Sequence, residues 1–166
     1  MKRSKKVIFA AHCLLNQNAR ASTVAKCPGA VGDFLDFCVK NNYGIIPIDC
    51  PQLKFEPLQR EPKTKEFYDN KKSREISKKI ANEVVKQIKL YGKNNYQVCG
   101  IYGVEGSPTC GAVVTHIKNS KGDAVSVKES GIFFEELKKV LDKNKLSVKI
   151  YDWDIQAKRR ILLNQA

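Results

Sequence analysis

The sequence predicts an α/β protein, a Rossmann-like three-layer sandwich built on a mostly parallel sheet. Two observations carry this expectation. Apolar runs of strand length alternate with stretches of helical periodicity, the order that a parallel sheet with crossover helices requires. The strand candidates are compact apolar runs, as expected when both sheet faces are covered. The length of 166 residues and a hydrophobic content of 42% fit a single α/β domain over residues 1–166.

The first strand is read over Lys6 to Cys13, KVIFAAHC, and residues 14–29 are read as a loop. Residues 30–41 place Val31, Phe34, Leu35, Cys38 and Val39 at the spacing of one helix face, and Tyr43-Gly44 stops that helix. Ile45 to Cys50 follows as a short strand running into Pro51. Residues 51–65 hold Pro51, Pro57 and Pro62 without periodicity and form a loop of a length that is more often functional than decorative. The longest helix spans 72–91, with Ile76, Ile80, Val84, Ile88 and Tyr91 along one side and Gly92 closing it. Tyr96 to Val104 is another buried strand, leading into Glu105-Gly106-Ser107-Pro108-Thr109-Cys110-Gly111. Val113 to Ile117 is compatible with extended structure, and 119–123 reads as a turn. Ser130 is placed as the cap of a helix that runs to Lys143. Leu146 to Tyr151 is read as the last strand, followed by a basic helix around 154–164.

Composition restricts the function classes. Lys and Arg number 30 against 17 Asp and Glu, a formal charge of +13, which raises nucleic acid as a partner. The basic residues are mostly Lys and spread over several helix faces, so a solvated basic surface is favoured over a dedicated nucleic-acid groove. The basic N-terminus resembles the start of a signal peptide. The apolar stretch behind it, Val7 to Ala11, is shorter than the ~7–15 residues such a peptide needs. A cytoplasmic protein without a membrane partner is therefore expected, and nothing in the sequence fixes its oligomeric state.

In a reducing compartment the six cysteines read as core hydrophobes, metal ligands or catalytic thiols rather than disulfides. No CxxC pair occurs, so any metal site must be assembled from distant segments. Ligands of an open parallel sheet bind beyond the carboxyl ends of its strands. Cys13 ends the first strand, Cys50 ends the second, and Cys110 follows the third, so all three fall on the same rim. Cys38 on a helix face and Cys99 inside a strand read as small buried hydrophobes. Cys27 sits in a loop and is a weaker candidate for a fourth ligand. Three thiolates make a poor structural zinc site. On a cubane iron–sulfur cluster they leave one iron open, which suits catalysis better than electron transfer. Three purely structural cysteines are the alternative.

The residues around these cysteines carry a resemblance. His12-Cys13-Leu14-Leu15-Asn16-Gln17-Asn18, then Cys50-Pro51-Gln52, then Gly106-Ser107-Pro108-Thr109-Cys110-Gly111 resembles the thiouracil desulfidase family, also called the domain-of-unknown-function 523 family, in a divergent branch. The resemblance implies a Rossmann-like fold with a [4Fe-4S] cluster held by Cys13, Cys50 and Cys110. It also implies a small thiolated substrate, such as a thiolated pyrimidine, whose sulfur is replaced by oxygen from water. Ser107 matches the family's serine three residues before the last cysteine and is expected to make a polar contact to substrate. One position departs from the pattern: the family commonly shows Cys-Pro-Glu where this chain has Cys50-Pro51-Gln52. An amide cannot take a proton from water at neutral pH, so Gln52 is expected to position substrate and Glu105 is a replacement base. His12, His116, Asn16 and Asn18 are weaker candidates. The rival reading is a basic RNA-binding protein whose cysteines are structural or bind zinc.

Overall fold

The computed structural model describes residues 1–164. Five strands form the central sheet in the order β2-β1-β3-β6-β7, comprising β1 (Lys6–Ala11), β2 (Gly44–Ile48), β3 (Gln97–Val104), β6 (Ile150–Asp154) and β7 (Arg159–Leu162). The first four in that order run parallel, and β7 pairs antiparallel with β6. Strands β4 (Thr115–Lys118) and β5 (Ala124–Val127) make a separate antiparallel hairpin. Its turn is tied by the Asn119 carboxamide oxygen, which accepts the N–H groups of Lys121 and Asp123. Among the described residues no helix is long and apolar enough to cross a membrane.

Helices cover both faces of the sheet. Helix α2 (Gly32–Lys40) buries Phe34 edge-on against Tyr102 of β3 and Trp153 of β6, with ring centroids 5.6 and 5.2 Å apart. Successive strand residues point to opposite faces, so Gly103 faces the other layer. A Cβ on Gly103 would lie 2.8 Å from a ring carbon of Phe134 in α5 (Ile132–Lys143). The long α4 (Lys71–Lys93) is joined to α5 by Arg74, which donates to Glu135 at 2.9 Å and Glu136 at 2.7 Å.

Several boundaries differ from those read in the sequence. Strand β1 ends at Ala11, and His12–Leu15 form a single helical turn, α1, so Cys13 sits just beyond the strand. The segment read as loop 14–29 also holds a 3-10 turn at Gln17–Ala19, started by the Asn16 side chain accepting Asn18 N–H. The loop read as 51–65 holds a 3-10 turn at Gln52–Lys54 and ends where the short α3 (Lys65–Tyr68) begins. Helices α2 and α4 stop at left-handed Asn42 (φ 57°) and Asn95 (φ 61°) rather than at Gly44 and Gly92, since a short polar side chain tolerates that conformation. Pro47 lies within β2 because that strand is at the sheet edge and pairs only with β1. Gly131, not Ser130, occupies the N-cap of α5; the Ser130 hydroxyl donates instead to Ala112 O at 2.6 Å.

The C-terminal segment departs most. The strand lies at Ile150–Asp154 rather than 146–151, and the helix expected over 154–164 is a reverse turn and β7. The Asp154 carboxylate accepts the N–H groups of Gln156 and Ala157, a local bond that competes with helix formation. Arg160 then lays its guanidinium over Tyr151 and Phe37, 5.0 and 5.5 Å from the ring centroids. A cation on an aromatic face gives a basic segment a reason to pair as a strand.

Candidate functional site

The rim at the carboxyl ends of the parallel strands encloses a cavity of about 500 Å³. Cys13 from α1, Cys50 just after β2 and Cys110 in the loop after β3 all line it. The structure therefore brings together the three cysteines singled out in the sequence. Cys27 does not line the cavity; its thiol points to the carbonyl of Ala30 at 3.4 Å. Cys38 is buried on α2, as expected, and Cys99 is half-buried in β3 beside an irregularity of the ladder with β1.

Each cysteine is fastened by its own local chemistry. The Cys13 carbonyl accepts from the buried Gln17 side chain at 2.6 Å, and the same amide takes Lys26 N–H at 2.9 Å, so the following loop is pinned to the strand end. Pro51 leads directly from Cys50 into the turn Gln52–Lys54. Cys110 is held most firmly. Its N–H donates to the Ser107 hydroxyl at 3.0 Å, and its carbonyl accepts from Val104 N at 2.8 Å. This carbonyl fits only because residue 103 is glycine, since a Cβ there would lie 2.3 Å from it.

Asp152 completes the clamp on that loop. Fully buried in the middle of β6, it accepts three successive backbone N–H groups, from Ala112 (2.6 Å), Val113 (2.8 Å) and Val114 (3.0 Å). Burial pushes its carboxyl up to about 6, opposed by those three donors. The sequence reading missed Asp152. Its signal was a carboxylate inside the apolar run Ile150-Tyr151-Asp152-Trp153, since a buried charge requires partners.

The thiols are buried close enough to disfavour one another's charge. Burial pushes the Cys13 thiol up to about 11, opposed by Arg20 and raised further by Cys50. Burial also raises the Cys110 thiol, and the neighbouring Cys50 and Cys13 raise it further. Cationic Arg20, Lys26, Arg60 and Lys63 stand in the cavity wall against Glu105 and Asp154. Glu56 pairs with both Arg60 and Lys63, so the wall keeps a small positive excess, which suits an anionic centre.

Three other residues singled out in the sequence line the cavity wall. Glu105 is half-buried, and its carboxylate has no hydrogen-bond or ion-pair partner among the described residues. Ser107 faces the cavity with its oxygen accepting from Cys110, which leaves its hydroxyl proton free. The buried Gln52 takes two hydrogen bonds from Arg60 on its oxygen, at 3.1 and 2.7 Å, and donates from nitrogen to Thr109 at 3.1 Å. His12 lies away from the cavity. His116 lines it, with Nδ1 against the Gly106 carbonyl and Nε2 3.1 Å from the Ser126 hydroxyl. No three His, Cys, Asp or Glu side chains among the described residues are spaced to hold a single metal ion.

Comparisons with known proteins bear on the family and the fold. A family model described as "Putative 2-thiouracil desulfurase" matches residues 33–165, a span that includes Cys50 and Cys110 but not Cys13. An uncharacterized protein of Methanocaldococcus jannaschii is 32% identical over 151 residues, covering 91% of this chain and 87% of the relative. Among solved structures, the [4Fe-4S]-dependent thiouracil desulfidase TudS superposes with a TM-score of 0.55 at 18% identity, covering 89% of this chain and 90% of that one. The latter likeness is one of fold.

Proposed function

Since the chain belongs to this 2-thiouracil desulfurase family, we propose that it removes sulfur from a small thiocarbonyl compound, using a [4Fe-4S] cluster on Cys13, Cys50 and Cys110. The observation that carries the reading is the convergence of three thiols, from three separate strand ends, on one cavity. The donor set fits the group. Thiolates are the natural ligands of iron–sulfur clusters, and ligands that each take a different iron stand farther apart than those of a single ion. Arg20 and Arg60 oppose but do not overcome the burial that raises the Cys13 thiol, so loading the centre must displace that proton.

When bound, the cluster supplies a sulfur-seeking Lewis acid that polarises the carbon–sulfur bond and makes sulfide a better leaving group. The reaction balances as thiocarbonyl plus water giving carbonyl plus hydrogen sulfide, so one oxygen is added and no net electrons move. The chain's own groups must orient the substrate and move protons. Glu105, with its carboxylate unengaged, takes a proton from the attacking water. Ser107 donates its free hydroxyl proton to a polar atom of the substrate. Gln52 has one N–H left after serving Arg60 and Thr109, and with it positions the ring. The cationic wall balances the charge of the loaded centre.

The test is anaerobic turnover. Cluster-loaded protein given 2-thiouracil is expected to release sulfide and uracil in equal amounts. Glu105→Gln is expected to slow kcat by about 10²–10⁴-fold, the usual contribution of a general base. Iron-loaded protein that releases no sulfide from any thiolated pyrimidine would contradict the assignment.

A further inference from the structure

A hydrogen-bond chain runs from a buried cation to the sulfur of Cys110, and the direction of every bond in it is fixed. Arg60 is 7% exposed and anchored by the carbonyls of Ala19, Pro57 and Leu58, with Glu56 at 3.6 Å. A guanidinium only donates. The atom of Gln52 facing it, held by both Nε and Nη2, must therefore be the amide oxygen. That leaves the amide nitrogen facing Thr109, where it donates to Oγ1 at 3.1 Å. The Thr109 hydroxyl thus accepts from Gln52 and keeps its single proton for another partner. The sulfur of Cys110 lies 3.7 Å away. Gln52 and Thr109 are 9% and 1% exposed, so solvent does not readily reverse the order.

We propose that Gln52 acts, through Thr109, as a positioning residue that aims a hydrogen bond at the Cys110 sulfur and so tunes the iron–sulfur centre that this cysteine holds. The inference rests on the reading of Cys110 as a cluster ligand. A donor on a ligating sulfur draws electron density from it and favours the reduced cluster, raising the reduction potential. A carboxylate at position 52 can only accept. It would take both the Arg60 protons and the Thr109 proton, turn the hydroxyl round and strip the sulfur of its donor. The amide sets the polarity of the whole chain.

The experiment is the midpoint potential of the anaerobically reconstituted protein, followed by its visible absorbance during titration. Thr109→Val, which keeps the shape and removes the hydroxyl, is expected to shift the potential to a more negative value. Thr109→Ser is expected to retain the wild-type potential. Gln52→Glu is expected to shift it in the same direction as Thr109→Val. In the double variant Gln52→Glu, Thr109→Val the potential should equal that of Thr109→Val alone, because both changes remove the same bond. Two additive shifts would mean that the new carboxylate acts by its charge, and that result overturns the proposal. An unchanged potential in Thr109→Val overturns it too, while leaving the cluster assignment intact. Wild-type protein that takes up no iron overturns both.

Discussion

Asp152 shows how a single residue sets the site. Its carboxylate gathers the three N–H groups that follow Cys110-Gly111, so the loop carrying the third thiol is shaped before any ligand arrives. Burial raises its carboxyl from 3.8 to about 6, which means the folded protein binds this proton more tightly than the unfolded chain does. Between those two values the unfolded state holds fewer protons, and stability falls as pH rises through the window. The contribution amounts to roughly 3 kcal/mol from a shift of this size. Denaturant titrations between pH 4 and 6 are expected to show this decline in wild type, and a flatter profile in Asp152→Asn, which cannot titrate. Parallel profiles for the two proteins would refute the role given to the buried carboxylate. The cysteines were legible in the sequence because strand ends fix where they must lie. Asp152, Arg60 and Thr109 were not, because their roles depend on partners 40, 41 and 57 residues away along the chain.

Elements were legible where a periodic apolar face had only one place to go. The sequence reading of 72–91 lies within α4, Lys71–Lys93, and the Tyr96–Val104 run became β3 with its start moved by one residue. Short segments governed by local side-chain bonds were harder. The α1 turn at His12–Leu15 replaced an expected strand end, and β7 replaced an expected helix because the Asp154 side chain and the Arg160 cation over an aromatic ring decided that segment. The division of labour between elements is testable. Asn70 caps α4 by accepting Ser73 N–H at 3.0 Å, and α4 supplies no residue to the cavity wall. Asn70→Ala should therefore cost about 1 kcal/mol of stability and leave iron loading unchanged. Gly103→Ala places a methyl group against the Cys110 carbonyl. It should cost about 3 kcal/mol or more from overpacking and also reduce iron loading by displacing the loop. Thermal unfolding with iron analysis on both variants separates a helix that supports the sheet from a strand that shapes the site.

For the whole molecule, the parallel sheet supplies what no single segment contains. Cys13 and Cys110 are 97 positions apart in sequence, yet both reach one cavity because β1 and β3 are adjacent and run the same way. The α/β class with a mostly parallel sheet, and the rim on which the three cysteines meet, followed from the alternation of strands and helices. The antiparallel β7 did not, since nothing in a short basic segment announces which strand it will join. Part of the +13 charge lines the cavity that holds the thiols, as Arg20, Lys26, Arg60 and Lys63. The account depends on three thiols sharing one inorganic centre, and iron and acid-labile sulfide analysis of single-cysteine variants tests that most directly. Anaerobically prepared wild type and Cys27→Ser should each carry about four irons and four sulfides per chain, whereas Cys13→Ser, Cys50→Ser and Cys110→Ser should each lose the brown colour and most of the iron. Full iron in any of those three variants, or its loss only in Cys27→Ser, would contradict the account.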